Sequence, residues 1–450
     1  MTSTFLYFVL ALLLLVIVHE YGHFQVARWC GVKVLRFSFG FGKVLARWTD
    51  KKGTEYAWSL IPLGGYVKML DESEDEVPEN EKHLAFNNQS IKVRTAIVLA
   101  GPLFNFLFAF VALWLVLIIG RYSLAPMIDS VAPGSIAAQA GLTSKQEIIA
   151  LDGTEINSWN DFHFAIMPYI GSEGTVNLTI RSITDNKVKQ ISLPLSQWKL
   201  NSKKPDPLKS LGIEPYIPII PPVIGVVSAD SPAEKAGIKV HDEIVSINGK
   251  AFNDWLFLVD FMREHPNTQI TIGLKRKGKI INIAMMTGSK MNDGKVEGFV
   301  GLGPQKPDWP AHLLRLEREG YIPALGTALK QTVNLASTTL TLMGRLVTGR
   351  LPLENISGPV GIAQGAGESG RSGIVSYLFF LALVSISLGV LNLLPIPMLD
   401  GGHLLYYVIE AIRGKPLSER SKTIGVYCGI VLLLALMCVA ITNDISRLVG

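Results

Sequence analysis

Four stretches of this 450-residue chain are apolar over close to the roughly 20 residues that an α-helix needs to cross a hydrocarbon core. They run from about Phe5 to Ala27, Thr95 to Ile119, Ile374 to Leu394 and Thr423 to Ile441. Lipid offers no partner to backbone polar groups, so segments of this kind fold as helices. Apolar residues make up 48% of the chain and charged ones 18%, which excludes disorder and points to a membrane protein. The net charge of +5 is too thin an excess for nucleic-acid binding. The opening Met-Thr-Ser-Thr has no basic flank and no small-residue cleavage site follows, so the first stretch reads as a retained span. Cys30, Cys428 and Cys438 lie in or beside the apolar runs, which leaves no disulfide framework and no cysteine-rich metal module.

Basic residues in short loops set the orientation. Arg28, Lys33, Arg36, Lys43, Arg47, Lys51 and Lys52 follow the first stretch against the single Asp50, and Arg413, Lys415, Arg420 and Lys422 separate the last two. Both loops are therefore expected in the cytoplasm. Both termini, and the polar insert from about Arg121 to Arg371, then face outside, most simply a bacterial periplasm. A run of seven acids in the eleven residues from Asp71 to Glu81 reads as a solvated cytoplasmic linker.

The insert contains a duplication at a constant offset of 96 residues. Pro126 maps on Pro222, Ile128 on Ile224, Ala140-Gly141 on Ala236-Gly237, Gly153 on Gly249 and Trp159 on Trp255. Each copy reads as a strand, a one-turn helix ending at glycine, and a second strand leading into Asp152-Gly153 or Asn248-Gly249, pairs that tolerate positive φ. An amphipathic helix follows each turn.

The sharpest motif is His19-Glu20-Tyr21-Gly22-His23 inside the first stretch. Residues four apart share a helix face, so both imidazoles can reach one ion, while Glu20 projects beside them where it can take a proton from metal-bound water. Zinc suits this spacing. Ionisable groups within a bilayer are costly and need a compensating partner; the plainer alternative is a polar cluster bonding neighbouring helices. Catalytic zinc usually takes three protein ligands and leaves a position for water. The third is offered by Asn392-Leu-Leu-Pro-Ile-Pro-Met-Leu-Asp400-Gly-Gly-His403, after the third stretch. Stretches one and three run in the same direction, which brings His19, His23 and Asp400 to similar depth near the cytoplasmic end. Asp400 is the preferred ligand; its plainer reading is an N-cap for a helix from His403 to Ile412, and His403 is the rival ligand. Pro395 and Pro397 break the helix, and irregular backbone at such depth is tolerated where it lines a cavity.

H-E-x-x-H in a first span, Asn-x-x-Pro-x-Pro-x-x-Asp-Gly in a third and a duplicated insert between spans two and three resemble the site-two protease family of intramembrane zinc metalloproteases, over essentially the whole chain. The copies, above all Ser231-Pro-Ala-Glu-Lys-Ala-Gly-Ile, resemble the circularly permuted PDZ domains of bacterial envelope proteases. Such domains either bind an extended peptide at a sheet edge or act as spacers and size filters. The resemblance implies that His19, His23 and Asp400 bind Zn2+, that Glu20 is the catalytic base and that Asn392 contacts the substrate. It implies as substrates single-span membrane proteins, of the kind of an anti-sigma factor already trimmed by another protease, together with remnant signal peptides. Gly40 and Gly42 resemble a G-x-G element implicated in substrate handling; the alternative is a membrane-facing turn. Gly358-Pro-Val-Gly matches another family element, placed by the resemblance at the outer membrane surface near a gate. The competing function is a non-catalytic, membrane-anchored PDZ adaptor that binds unfolded envelope peptides.

The expected architecture is a multi-pass α-helical membrane protein with four transmembrane helices, a membrane-associated β-hairpin region and two periplasmic α+β PDZ-like domains. The first helix with the zinc motif takes residues 1–27, the hairpins (Val32 to Trp48, Glu55 to Met69) and acidic linker 28–94, and the second helix 95–120. The PDZ-like domains take 121–218 and 219–305, and a linker with interfacial helices 306–373. The third helix with the third ligand takes 374–400, a cytoplasmic loop and helix 401–422, and the fourth helix with the C-terminus 423–450. Ala324 to Leu346 is read as interfacial, because a fifth crossing would invert the third span and separate Asp400 from the histidines. His83, His163, His241, His265 and His312 lie in polar regions and are expected at the surface.

Overall fold

The computed structural model describes residues 2–73, 76–196, 198, 206–292, 295–305, 313–349, 351 and 358–449. Its long helices are α1 (Thr2–Trp29), α2 (Ile91–Ile119), α3 (Pro323–Val347), α4 (Pro359–Arg371), α5 (Ile374–Leu393), α6 (Asp400–Arg413) and α7 (Glu419–Val449). Among the described residues α1, α2, α5 and α7 are the four helices long and apolar enough to cross a membrane. Local chemistry sets their ends. Ser90 caps α2 by accepting from the Val93 N–H at 3.4 Å, and α5 stops at Leu394, which the following proline drives into an extended conformation.

Helix α2 is the shared wall of the bundle. Its Ile97 faces His23 and its Asn105 faces His19, so it runs antiparallel to α1. On its other side Gly389 of α5 lies against Pro102 and Phe106, and Ser385 bonds Asn105, so α5 is antiparallel to α2 as well. Helices α1 and α5 therefore run parallel to each other. In lipid, helices associate through close packing of small residues. Ala109 and Ala112 of α2 are 0% and 2% exposed, and a methyl group on Gly22 of α1 would overlap the Ala100 carbonyl.

Strands β1 (Val34–Thr49) and β2 (Glu55–Met69) follow α1, where hairpins are expected from the sequence. Each bends midway, so two long strands give four paired segments in the order 65–69, 34–39, 55–59, 44–49. Gly40 and Gly42 supply the bend at φ +93° and +84°. Any side chain on Gly40 would meet the Ile61 carbonyl oxygen at 2.6 Å. Phe41, held between the two glycines, covers Gly64 and stacks on Tyr66 with ring centroids 6.2 Å apart. One face of the sheet packs Val34 and Phe37 on Phe24 and Ala27 of α1. Leu45, Trp48, Trp58 and Leu60 are left exposed, an apolar surface suited to lipid.

The duplication holds in three dimensions. The first copy has a sheet of Thr154–Glu155, Gln146–Leu151, Thr175–Ser182 and Val188–Pro194, in that order; the second repeats it with Lys250–Ala251, Glu243–Ile247, Gln269–Arg276 and Lys279–Met286. Ser135 and Ser231 cap equivalent one-turn helices. Asp152 and Asn248 take equivalent positive φ values of 44° and 49°. Each copy has its own core, around Phe162 and Leu178 in one and Trp255 and Ile272 in the other. One equivalence fails chemically. Asp242, 2% exposed, takes bonds from Arg276 at 2.8 and 2.6 Å, whereas Gln146 and Ser182 occupy those positions in the first copy.

Helix α3 starts beside the C-terminal end of α2, where Trp114 Nε1 donates to the Tyr321 carbonyl at 2.9 Å. It ends against the first copy, where Arg345 donates to the Ile170 carbonyl. Both ends lie on one side of the bundle, so α3 does not run across it. Helix α4 lacks a cap of its own: the N–H groups of Gly358, Val360 and Gly361 donate instead to Asp444 of α7 at 3.0, 2.9 and 3.2 Å.

Two sequence expectations change. The third helix does not extend to residue 400; it ends at Leu393, and Asp400 opens α6 after a short loop. His163 and His265 are half-buried rather than superficial, each with Nδ1 on a carbonyl one turn back, at 2.9 and 2.7 Å. His83 and His241 are exposed, and His312 lies outside the described residues, as do Glu74 and Asp75 of the acidic run.

Candidate metal centre

His19 and His23 sit one turn apart on α1 and face α2, with Nε2 atoms 3.2 Å apart. The Asp400 carboxylate reaches the same point from the start of α6: Oδ2 lies 3.2 Å from His19 Nε2 and Oδ1 lies 3.5 Å from His23 Nε2. A tetrahedral ion with bonds of about 2.0–2.1 Å separates its ligand atoms by about 3.3 Å, which these three distances match. Asp400 Oδ2 is buried and takes no aligned hydrogen bond among the described residues. At such depth an orphaned carboxylate oxygen requires a partner, and a divalent cation between the three groups supplies one. The donor set of two imidazoles and one carboxylate suits zinc, and these are the only three such groups that converge among the described residues.

Backbone chemistry aims each ligand. Helix periodicity brings the two imidazoles onto one face. Asp400 is directed by the turn before it, where Met398 takes φ +86° and α6 begins without a side-chain cap. Its carboxylate points at the histidines instead of capping its own helix. Helix α6 is fastened to α2 by Arg94, which donates to Glu410 at 2.7 and 3.3 Å and lies over the Tyr407 ring. Burial holds the His403 imidazole below its usual range, and His403 is not part of the converging group.

The other residues singled out from sequence are placed around this point. Glu20 lies beside Gly65, where a methyl would meet its Cγ at 3.5 Å. Asn392 brings Nδ2 to 3.4 Å from His19 Nε2. Gly40 and Gly42 are at the sheet bend, not at the ligands.

The sequence reading missed the contribution of α2. The Ile97 carbonyl accepts from His23 Nδ1 at 2.8 Å, and Asn105, 0% exposed, faces His19 Nδ1 at 3.2 Å. A methyl on Gly101 would overlap His23 Nε2 and come within 2.7 Å of His19 Cε1, so glycine is what lets α2 approach. The signal was a lone amide in an apolar span, which is costly there unless used.

Two imidazoles of a span-length helix and a carboxylate at the start of α6, meeting at tetrahedral spacing, have the form of the centre that a metal-dependent hydrolase uses. The chain belongs to peptidase family M50, the site-two protease family, whose model matches residues 7–436, and it is a zinc metalloprotease. It is 43% identical over 442 residues to the regulator of sigma-E protease of Salmonella typhimurium and over 441 residues to that of Escherichia coli, each match covering 98% of both chains. A Vibrio cholerae protein provisionally named a zinc metalloprotease is 41% identical over 448 residues, 99% of this chain and 98% of that one. Membership of a protease family displaces the non-catalytic adaptor.

Proposed function

We propose that this zinc metalloprotease cuts peptide bonds inside the membrane, with His19, His23 and Asp400 as its zinc ligands and Glu20 as its base. The observation that carries the reading is the meeting of three ligand atoms at tetrahedral spacing between span-length helices. His19, His23 and Asp400 would hold the zinc, which would supply Lewis-acid chemistry for carbonyl polarisation and water activation. Glu20, adjacent to His19 in sequence, accepts the proton of the attacking water and delivers it to the leaving amine, so no covalent intermediate forms. Asn392, with Nδ2 3.4 Å from His19 Nε2, is the substrate contact in this reading.

A transmembrane substrate hides its carbonyls in helical hydrogen bonds and must be drawn extended before attack. Segment 65–69 supports this step: among the described residues its strand pairing is with 34–39, and Gly65 and Val67 lie against Glu20. Gly40 and Gly42 act on this segment through Phe41, which covers Gly64. Substrates are single-span proteins, of the type of a pre-trimmed anti-sigma factor, and remnant signal peptides. The enzyme sits in a bacterial inner membrane with termini and both PDZ-like copies in the periplasm, an orientation supported by the basic loops after α1 and before α7. There the copies bind peptide ends or exclude untrimmed substrates.

Glu20→Gln tests the chemistry. Cleavage of a co-expressed single-span substrate is expected to fall by at least about 10²-fold with zinc content unchanged. Undiminished cleavage by a zinc-loaded variant refutes the base assignment.

A further inference from the structure

A histidine that binds a metal through Nε2 must carry its proton on Nδ1, and the group facing Nδ1 decides whether it does. For His23 that group is the Ile97 carbonyl at 2.8 Å, which can only accept. His23 is therefore locked with Nε2 as a lone pair. For His19 the facing group is the Asn105 carboxamide at 3.2 Å, which can either donate or accept. Asn105 is 0% exposed and its backbone carbonyl accepts from Ser385 Oγ at 2.8 Å, so its backbone is fixed where the side chain meets His19. With Nδ2 towards Nδ1, the amide donates and Oδ1 is buried without a partner among the described residues. Half a turn about the Cβ–Cγ bond exchanges the two ends without moving a neighbour. The orientation with Nδ2 on His19 leaves Oδ1 unsatisfied, so the surroundings of the amide do not enforce it and the choice falls to His19.

We propose that Asn105 is a positioning residue of the metal centre: its Oδ1 accepts the Nδ1 proton of His19 and so presents the Nε2 lone pair to zinc, as the Ile97 carbonyl does for His23. This rests on the ligand assignment above. Loading zinc through the opposite orientation would require a proton to leave Nε2 and one to reach Nδ1 while the amide turns, which makes Asn105 the gate between two His19 tautomers. A buried, half-satisfied amide is otherwise a cost with no return.

Zinc affinity, measured by chelator competition on full-length protein in detergent, separates this from a packing role. All variants carry Glu20→Gln, so hydrolysis does not enter. Asn105→Leu, which fills the space but neither donates nor accepts, is expected to bind zinc about 10–100-fold more weakly. Asn105→Asp, which can only accept when ionised, is expected to bind at least as tightly as the parent. Parental affinity in Asn105→Leu, or loss in Asn105→Asp with its melting temperature retained, overturns the proposal. If Asn105→Leu does not fold, the Asp variant still decides. Parental affinity in His19→Ala would instead overturn the ligand assignment itself.

Discussion

Gly101 shows how little of this centre is decided by the residues that do chemistry. It sits where α2 crosses the histidine pair, and a single methyl there overlaps His23 Nε2. Gly101→Ala must push α1 away or turn the imidazoles. Misplacement of ligands by a fraction of an ångström undoes a tetrahedral site, so zinc affinity is expected to fall at least about tenfold, by the measure of removed supporting groups. Metal analysis of the purified variant checks this, and full zinc content after dialysis would contradict it. The convergence of His19, His23 and Asp400 was legible: H-E-x-x-H states its own geometry, the segment from Asn392 to His403 offered the carboxylate, and the direction of two spans put it at the same depth. Gly101 and Asn105 were not, because a glycine and an amide within an apolar run say nothing about which helix they meet.

At the scale of elements, α4 is closed at its N-terminus by a carboxylate from another helix. Asp444 is 3% exposed and receives three backbone N–H groups, satisfying donors that a helix start leaves open. Asp444→Ala removes these bonds, worth about 1.5–3 kcal/mol each to a charged acceptor before relaxation. Faster hydrogen exchange at Gly358, Val360 and Gly361, with exchange in α2 unchanged, is the expected outcome; unaltered protection at those amides would refute the cap. Helices were readable from sequence because length and apolarity alone decide a span. The sheet between α1 and α2 was read as hairpins, but its four-segment form depends on the bends at Gly40 to Gly42 and around Gly64, where local preference allows either a turn or an end.

For the whole molecule, the 96-residue offset foretold two matching units, and the structure adds where they differ. The Arg276 guanidinium beside Asp242 holds its carboxyl below the usual carboxylate range, and the first copy has no such pair at the equivalent positions. Stability from that pair is complete above the unfolded-chain value of about 4 and is lost as pH falls through the lower folded value. Acidification below about 4 is therefore expected to weaken strand Gln269–Arg276, and Asp242→Asn to remove that acid sensitivity while weakening the second copy at neutral pH. Exchange rates in this strand, corrected for intrinsic pH dependence, read this out; an unchanged pH dependence in Asp242→Asn refutes it. The wide separation of the metal ligands along the chain has a last consequence, for biosynthesis. Under the ligand assignment made here, the histidines enter the bilayer with the first helix, while Asp400 emerges only after nearly nine-tenths of translation. Until then the nascent polypeptide holds an incomplete site, and a ribosome stalled anywhere earlier leaves behind an inert fragment instead of an unregulated enzyme.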